Sequence, residues 1–96
     1  MTRLSHFKFR LYVAGDALNS VQARARLLAL CQEKLPERHD IEIVDVLTHP
    51  ERALADSVFM TPMLVKLSPL PERRIVGTLS QTALVIQTLG LEAAQE

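Results

Sequence analysis

Apolar and polar residues alternate from Phe7 to Val13: Phe7, Phe9, Leu11 and Val13 take one side, Lys8, Arg10 and Tyr12 the other. A period of two predicts a half-buried strand. Ala14-Gly15-Asp16 breaks it, and Asn19 or Ser20 is placed to cap a helix, because a short side-chain oxygen there accepts an orphan helix N–H. From Val21 the period lengthens. Val21, Ala25, Leu28, Cys31 and Leu35 recur at helical spacing, widened by Leu27 and Leu30, while Gln22, Arg24, Arg26, Glu33 and Lys34 cover the other side. Pro36 marks the end of the helix. The β-branched run Ile41-Glu42-Ile43-Val44-Asp45-Val46 predicts a second strand. Strand, long helix and strand in so short a span make a βαβ unit, so the two strands should be parallel with a right-handed crossover.

The second half changes rhythm. Thr48-His49-Pro50-Glu51 has the form of a capping box and opens a short helix over His49 to Asp56. Met63 to Leu67 is the third strand, Ser68-Pro69-Leu70-Pro71-Glu72 a proline-set turn, and Arg73-Arg74-Ile75-Val76 the return strand, stopped by Gly77. Ser80 is positioned to cap a last helix with Ala83, Ile86 and Leu89 on one face and Gly90 as its C-terminal stop. The expected order is βαβαββα, an α/β fold in one domain spanning residues 1–96. Local preferences conflict in this half. Thr82, Val85, Ile86 and Thr88 favour strand where the spacing favours helix, and Ala53 to Met60 starts helix-like but runs into Ser57-Val58-Phe59.

Composition removes several function classes. Hydrophobic residues make up 48% of the chain, too many for a disordered segment. No apolar run approaches the ~20 residues of a membrane span, and the N-terminus lacks a signal peptide's apolar core. A cytoplasmic protein without membrane contact is expected. Eleven basic and eleven acidic residues cancel, whereas a nucleic-acid binder carries a basic excess; no nucleic-acid partner is expected. The single Cys31 cannot form an intramolecular disulfide, which fits a reducing compartment, and its place on the apolar stripe reads as a buried, inert thiol. His6, His39 and His49 share no ligand spacing with it, and Gly15 and Gly77 belong to no phosphate-loop pattern. Asp16 and Asp45 lie near strand ends, where turn chemistry and a polar strand face explain them as well as catalysis does. Neither a catalytic residue, a metal nor a cofactor is expected. Lys66, Arg73 and Arg74 fall on two strands that the proline turn makes antiparallel neighbours. They form either a solvated edge that blocks aggregation or a protein-contact patch.

One proline carries more information. Pro62 stands at the mouth of a buried strand, where a residue without an N–H belongs only at a start, an edge or a bulge. An X-Pro bond gives up only about 0.5–1 kcal/mol by going cis. A Thr-Pro step opening a strand after a βαβ unit resembles the structural cis-proline of thioredoxin-like domains. Those domains carry a Cys-x-x-Cys pair at the first helix, and the matching Gly15-Asp16-Ala17-Leu18-Asn19-Ser20 has no cysteine.

Leu11-Tyr12-Val13-Ala14-Gly15 with Asn19-Ser20-Val21, Ile43-Val44-Asp45-Val46-Leu47 with Pro50, and Thr61-Pro62-Met63-Leu64 with Lys66 together resemble the KaiB family of bacterial clock proteins. So do Leu70-Pro71, Arg73-Arg74-Ile75, Gly77 and Leu79-Ser80. The likeness runs from Phe9 to about Leu89. It implies a thioredoxin-like form, and also a second, ground-state arrangement of order βαββααβ that assembles into dimers or tetramers. It implies a non-enzymatic adaptor that binds the hexameric ATPase KaiC, through Glu51, Arg52 and Asp56 of the second helix with Lys66, Arg73 and Arg74 alongside. The alternative is a sensor domain resembling the N-terminal module of the histidine kinase SasA, which shares that form. Three departures bear on a KaiA-like partner: no long acidic tail after Leu91, Thr78 after the glycine, and the acidic edge Asp40-Ile41-Glu42.

Overall fold

Among the described residues seven elements form in the expected order: β1 (Phe7–Val13), α1 (Leu18–Lys34), β2 (His39–Asp45), α2 (Pro50–Ala55), β3 (Met63–Ser68), β4 (Arg73–Val76) and α3 (Thr82–Leu89). The computed structural model describes residues 5–91, so the residues after Leu91 lie outside it. The four strands make one sheet in the order β2-β1-β3-β4. β1 and β2 are parallel, as a βαβ crossover requires, and β1–β3 and β3–β4 are antiparallel.

β1 is central, fully buried on its α1 face and, on the other, buried at Tyr12, half-buried at Arg10 and exposed at Lys8. Phe7, Phe9, Leu11 and Val13 pack against Ala23, Leu27, Leu30, Cys31 and Leu35 of α1 and its end, and against Val85 and Leu89 of α3. On the reverse face Tyr12 joins Val44, Met63 and Val65 under Ala53 and Val58. Two layers of side chains thus flank one sheet, each large apolar side chain contributing about 1.5–3 kcal/mol when fully buried.

The first helix sits in a different phase from the one its pattern predicts. It starts at Leu18 with Ala17 as an N-cap that offers no side-chain hydrogen bond. Ser20 is buried, and its Oγ accepts the Ala14 N–H at 3.0 Å, closing the β1–α1 loop. The buried stripe is Ser20, Ala23, Leu27, Leu30 and Cys31. Val21, Ala25 and Leu28 face solvent. Two apolar stripes compete on this helix, and the one with small residues wins because Ser20 and Ala23 let the helix lie close to the sheet.

The predicted capping box does not form. His49 is the N-cap of α2 without a side-chain bond, and the Thr48 hydroxyl donates to the Asp45 carbonyl at 3.2 Å. Asp45 has a turn role: its Oδ1 accepts the N–H of Gly15 at 3.1 Å and of Leu47 at 2.9 Å, tying together the loops after β1 and β2. Ser80 does not cap α3, whose N-cap is Gln81. Val85 and Leu89 are buried there and Ala83 is exposed. Gly90 closes α3 in the left-handed conformation, as its position predicts.

Candidate functional site

Strand alternation sorts the charged residues. Consecutive residues of a strand project to opposite faces, so Arg73 and Arg74 cannot share one. Register aligns Glu42, Arg10, Val65 and Arg74 in one row across the α2 face. On the α1/α3 face the row is Ile41, Phe9, Lys66 and Arg73.

The α2 face carries a continuous polar network. Arg52 donates to both Glu42 oxygens, at 2.8 and 3.0 Å, while Arg10 Nε donates to Glu42 Oε1 at 2.7 Å. Asp56, the C-cap of α2, accepts the Tyr12 hydroxyl at 2.7 Å and a guanidinium N–H of Arg74. Arg74 also donates to the Asp56 carbonyl at 2.7 Å. Arg10 lies 3.9 Å from Asp56 and links the two halves. The Arg52 hydrogen bonds first, and those of Arg10 second, hold the Glu42 carboxyl down from 4.5 to about 2. Burial, then the bond to Asp56, pushes the Tyr12 phenol up. This lattice pins α2 across β2, β1 and β4 and fixes charged side chains that would otherwise be floppy.

Of the residues singled out from the sequence, the network gathers Arg52, Asp56 and Arg74. Glu51 is exposed at the start of α2, 3.5 Å from His49 Nδ1. Arg73 is exposed and, among the described residues, donates only to the Glu72 carbonyl, at 3.2 Å. Lys66 departs from the expected solvated edge: it is 5% exposed. β3 lies inside the sheet, so a side chain on its helix-facing side is covered. The Lys66 ammonium sits 5.7 Å from the centre of the Phe7 ring and donates to the Leu89 carbonyl at 3.3 Å, at the C-terminal end of α3. Burial first, and Arg73 across the ladder second, lower its pKa. Pro62 is buried and follows a cis peptide bond, as expected, and its carbonyl accepts the Gly77 N–H at 2.9 Å. Sequence reasoning missed Arg10, Tyr12 and Glu42. Their signal was present as polar residues on the off-beat of two strands that pair.

The end of the sheet where a thioredoxin holds its dithiol is occupied differently. α1 begins at Leu18 behind Asp16 and Ala17, and Cys31 lies buried farther along the helix, its thiol pushed up to about 12 by burial alone. Among the described residues, no cluster of His, Cys, Asp and Glu suits a metal ion, and no helix is long and apolar enough to cross a membrane.

Sheet order, the cis-proline and the helix placement define a thioredoxin-like domain. Solved structures agree on that fold. The N-terminal domain of Synechococcus elongatus SasA superposes with a TM-score of 0.67 at 21% identity, covering 100% of this chain and 91% of that one. Chloroplastic thioredoxin z gives 0.73 at 18% identity, covering 93% and 80%. Within that class the chain belongs to the KaiB family of circadian clock proteins: the KaiB domain model matches residues 10–91. It is 39% identical over 93 residues to the circadian clock protein KaiB3 of Synechocystis, spanning 97% of this chain and 89% of that protein. It is also 39% identical over 82 residues to the clock oscillator protein KaiB of Synechococcus elongatus, spanning 85% and 80%.

Proposed function

We propose that this chain is a non-catalytic adaptor that binds a KaiC-like hexameric ATPase and modulates its cycle. The observation that carries this reading is the charged surface around α2, in which Arg52, Asp56 and Arg74 are held by one lattice, with the exposed Glu51 and Arg73 at its margins. Side chains already fixed by Glu42 and Tyr12 lose little freedom when a partner docks, which favours association. Lys66, named beside these residues from the sequence, is buried on the opposite face of the sheet and is not part of this surface. The buried, high-pKa thiol suits binding more than redox chemistry. The thioredoxin-like form described above is the binding-competent one, and a second arrangement of the C-terminal half, associating into dimers or tetramers, stands in equilibrium with it. The mixed strand and helix preferences of Ala53 to Leu89 support such an exchange. Any population in the second arrangement lowers the apparent affinity by that fraction.

Charge reversal tests the surface. Arg73→Glu and Glu51→Lys alter exposed residues that carry no part of the Glu42–Asp56 lattice, so both variants should keep the wild-type circular dichroism. Each is expected to weaken binding to an ATP-loaded KaiC homologue by about tenfold at low salt, because like-charge contacts across an interface are costly. Unchanged affinity in both folded variants would remove α2 and β4 from the interface.

A further inference from the structure

Among the described residues β4 is an edge strand of an open sheet, so alternate N–H and C=O groups along Arg73–Val76 lack a strand partner there. Between β4 and α3 runs a cleft of about 520 Å³, with Ile75, Val76, Leu84 and Val85 among its walls. Its apolar rim is open: Val76 is 47% and Leu84 54% exposed. Arg73 has no carboxylate within ion-pair reach among the described residues, only the Glu72 carbonyl. Along its length the edge reads basic, basic, apolar, apolar.

We propose that the outer edge of β4 receives an extended segment of a partner protein by strand addition, a segment with two adjacent acidic residues beside two β-branched apolar ones. Main-chain bonds supply affinity in this mode and alternating side chains supply specificity. The acidic pair lies across from Arg73 and Arg74; Arg73 carries the charge preference, because Arg74 already holds Asp56 and Glu72, and the apolar pair meets Ile75 and Val76, with Leu84 closing over the cleft. A second copy fits poorly. Pairing β4 with β4 would crowd four arginines onto one short ladder. The chain's own acidic strand, β2, has Asp40 on His6 at 2.8 Å and Glu42 clamped by Arg10 and Arg52. The inference stands apart from the ATPase reading, since any partner with such a segment satisfies it.

The test uses the full chain and fluorescein-labelled synthetic peptides with the cores Glu-Glu-Ile-Val and Val-Ile-Glu-Glu, one for each strand direction, and Lys-Lys-Ile-Val as control. Anisotropy at low salt should give saturable binding of one acidic peptide and at least tenfold weaker binding of the control. Backbone amide shifts should concentrate on Arg73–Val76 and on Leu84 and Val85. Arg73→Glu should weaken the acidic peptide about tenfold, an effect of like charge in contact, and improve the control. Leu84→Ser should weaken both without changing charge preference. The proposal is overturned by no saturable binding of either acidic peptide, by equal binding of the control, by shifts centred on Ile41–Asp45, or by sedimentation showing self-association through β4. Failure of the peptides with a KaiC homologue still bound would remove strand addition alone.

Discussion

Replacing Lys66 by Met removes a buried charge and keeps a stem of similar length. Enclosing an ammonium costs several kcal/mol even after relaxation. Its returns are limited. A charge-assisted hydrogen bond contributes about 1.5–3 kcal/mol, but the one to Leu89 is 3.3 Å long, beyond the usual 2.9–3.0 Å. The Phe7 ring, 5.7 Å away, adds roughly 0.5–2 kcal/mol, and Arg73 directly across the ladder subtracts from both. Gains and cost nearly cancel with the cost ahead, while a thioether still packs on the ring. Lys66→Met is therefore expected to stabilise the fold by about 1 kcal/mol, which for a domain of this size raises Tm by roughly 4–8 °C. The pH dependence has a definite sign. Because the folded pKa is depressed below 10.5, the unfolded chain holds more proton between the two values. Wild type accordingly gains stability from this group as pH rises through that window, and Lys66→Met does not. Urea unfolding at neutral pH and as the pH is raised to 10.5 should show the variant's advantage shrinking. A loss of more than ~1 kcal/mol at neutral pH, the size of one ordinary hydrogen bond, would mean that the buried ammonium is a net stabiliser, and an advantage that does not shrink would mean that its pKa is not depressed.

Glu42→Gln should cost about 1 kcal/mol: the drop from 4.5 to about 2 sets a ceiling near 3 kcal/mol, which solvent screening reduces because Glu42 is 46% and Arg52 38% exposed. Its pKa is depressed, so the wild-type contribution is full above 4.5 and vanishes as pH falls through about 2; acid unfolding curves of wild type and variant should converge there. Cys31 should resist a thiol reagent at neutral pH and react promptly in denaturant, and fast labelling of the folded chain would contradict its burial. Gly15→Ala should destabilise by about 1–2 kcal/mol, since Gly15 has φ +53° and its added Cβ would meet Leu47 Cδ1 at 3.2 Å; a neutral result in thermal melts would mean that the loop relaxes.

Much of this architecture was legible in the sequence, because strands with strict alternation and a βαβ spacing leave few topologies. β1 matched its predicted bounds, Gly90 ended α3, and Pro62 opened β3 in the cis form. What stayed hidden was phase and depth. On α1 two apolar stripes satisfied the same periodicity, and only the sheet's demand for close approach separates Ala23 from Val21. Lys66 read as surface because a lysine usually is. Its burial follows from β3 lying between β1 and β4, an order that local pattern does not encode. The charged lattice was half visible. Arg52, Asp56 and Arg74 were singled out as separate candidates, while Arg10, Tyr12 and Glu42, which join them, become neighbours only through strand pairing.

Association with a KaiC-like ATPase is the function proposed for this chain. Size-exclusion chromatography of this chain with a KaiC homologue tests it, with and without ATP, at equal protein concentrations. The chain should leave its own elution position and co-elute with the hexamer when ATP is present. Folded chain eluting alone beside an assembled, ATP-loaded hexamer, after incubation long enough for any slow conformational exchange, would contradict the proposed association.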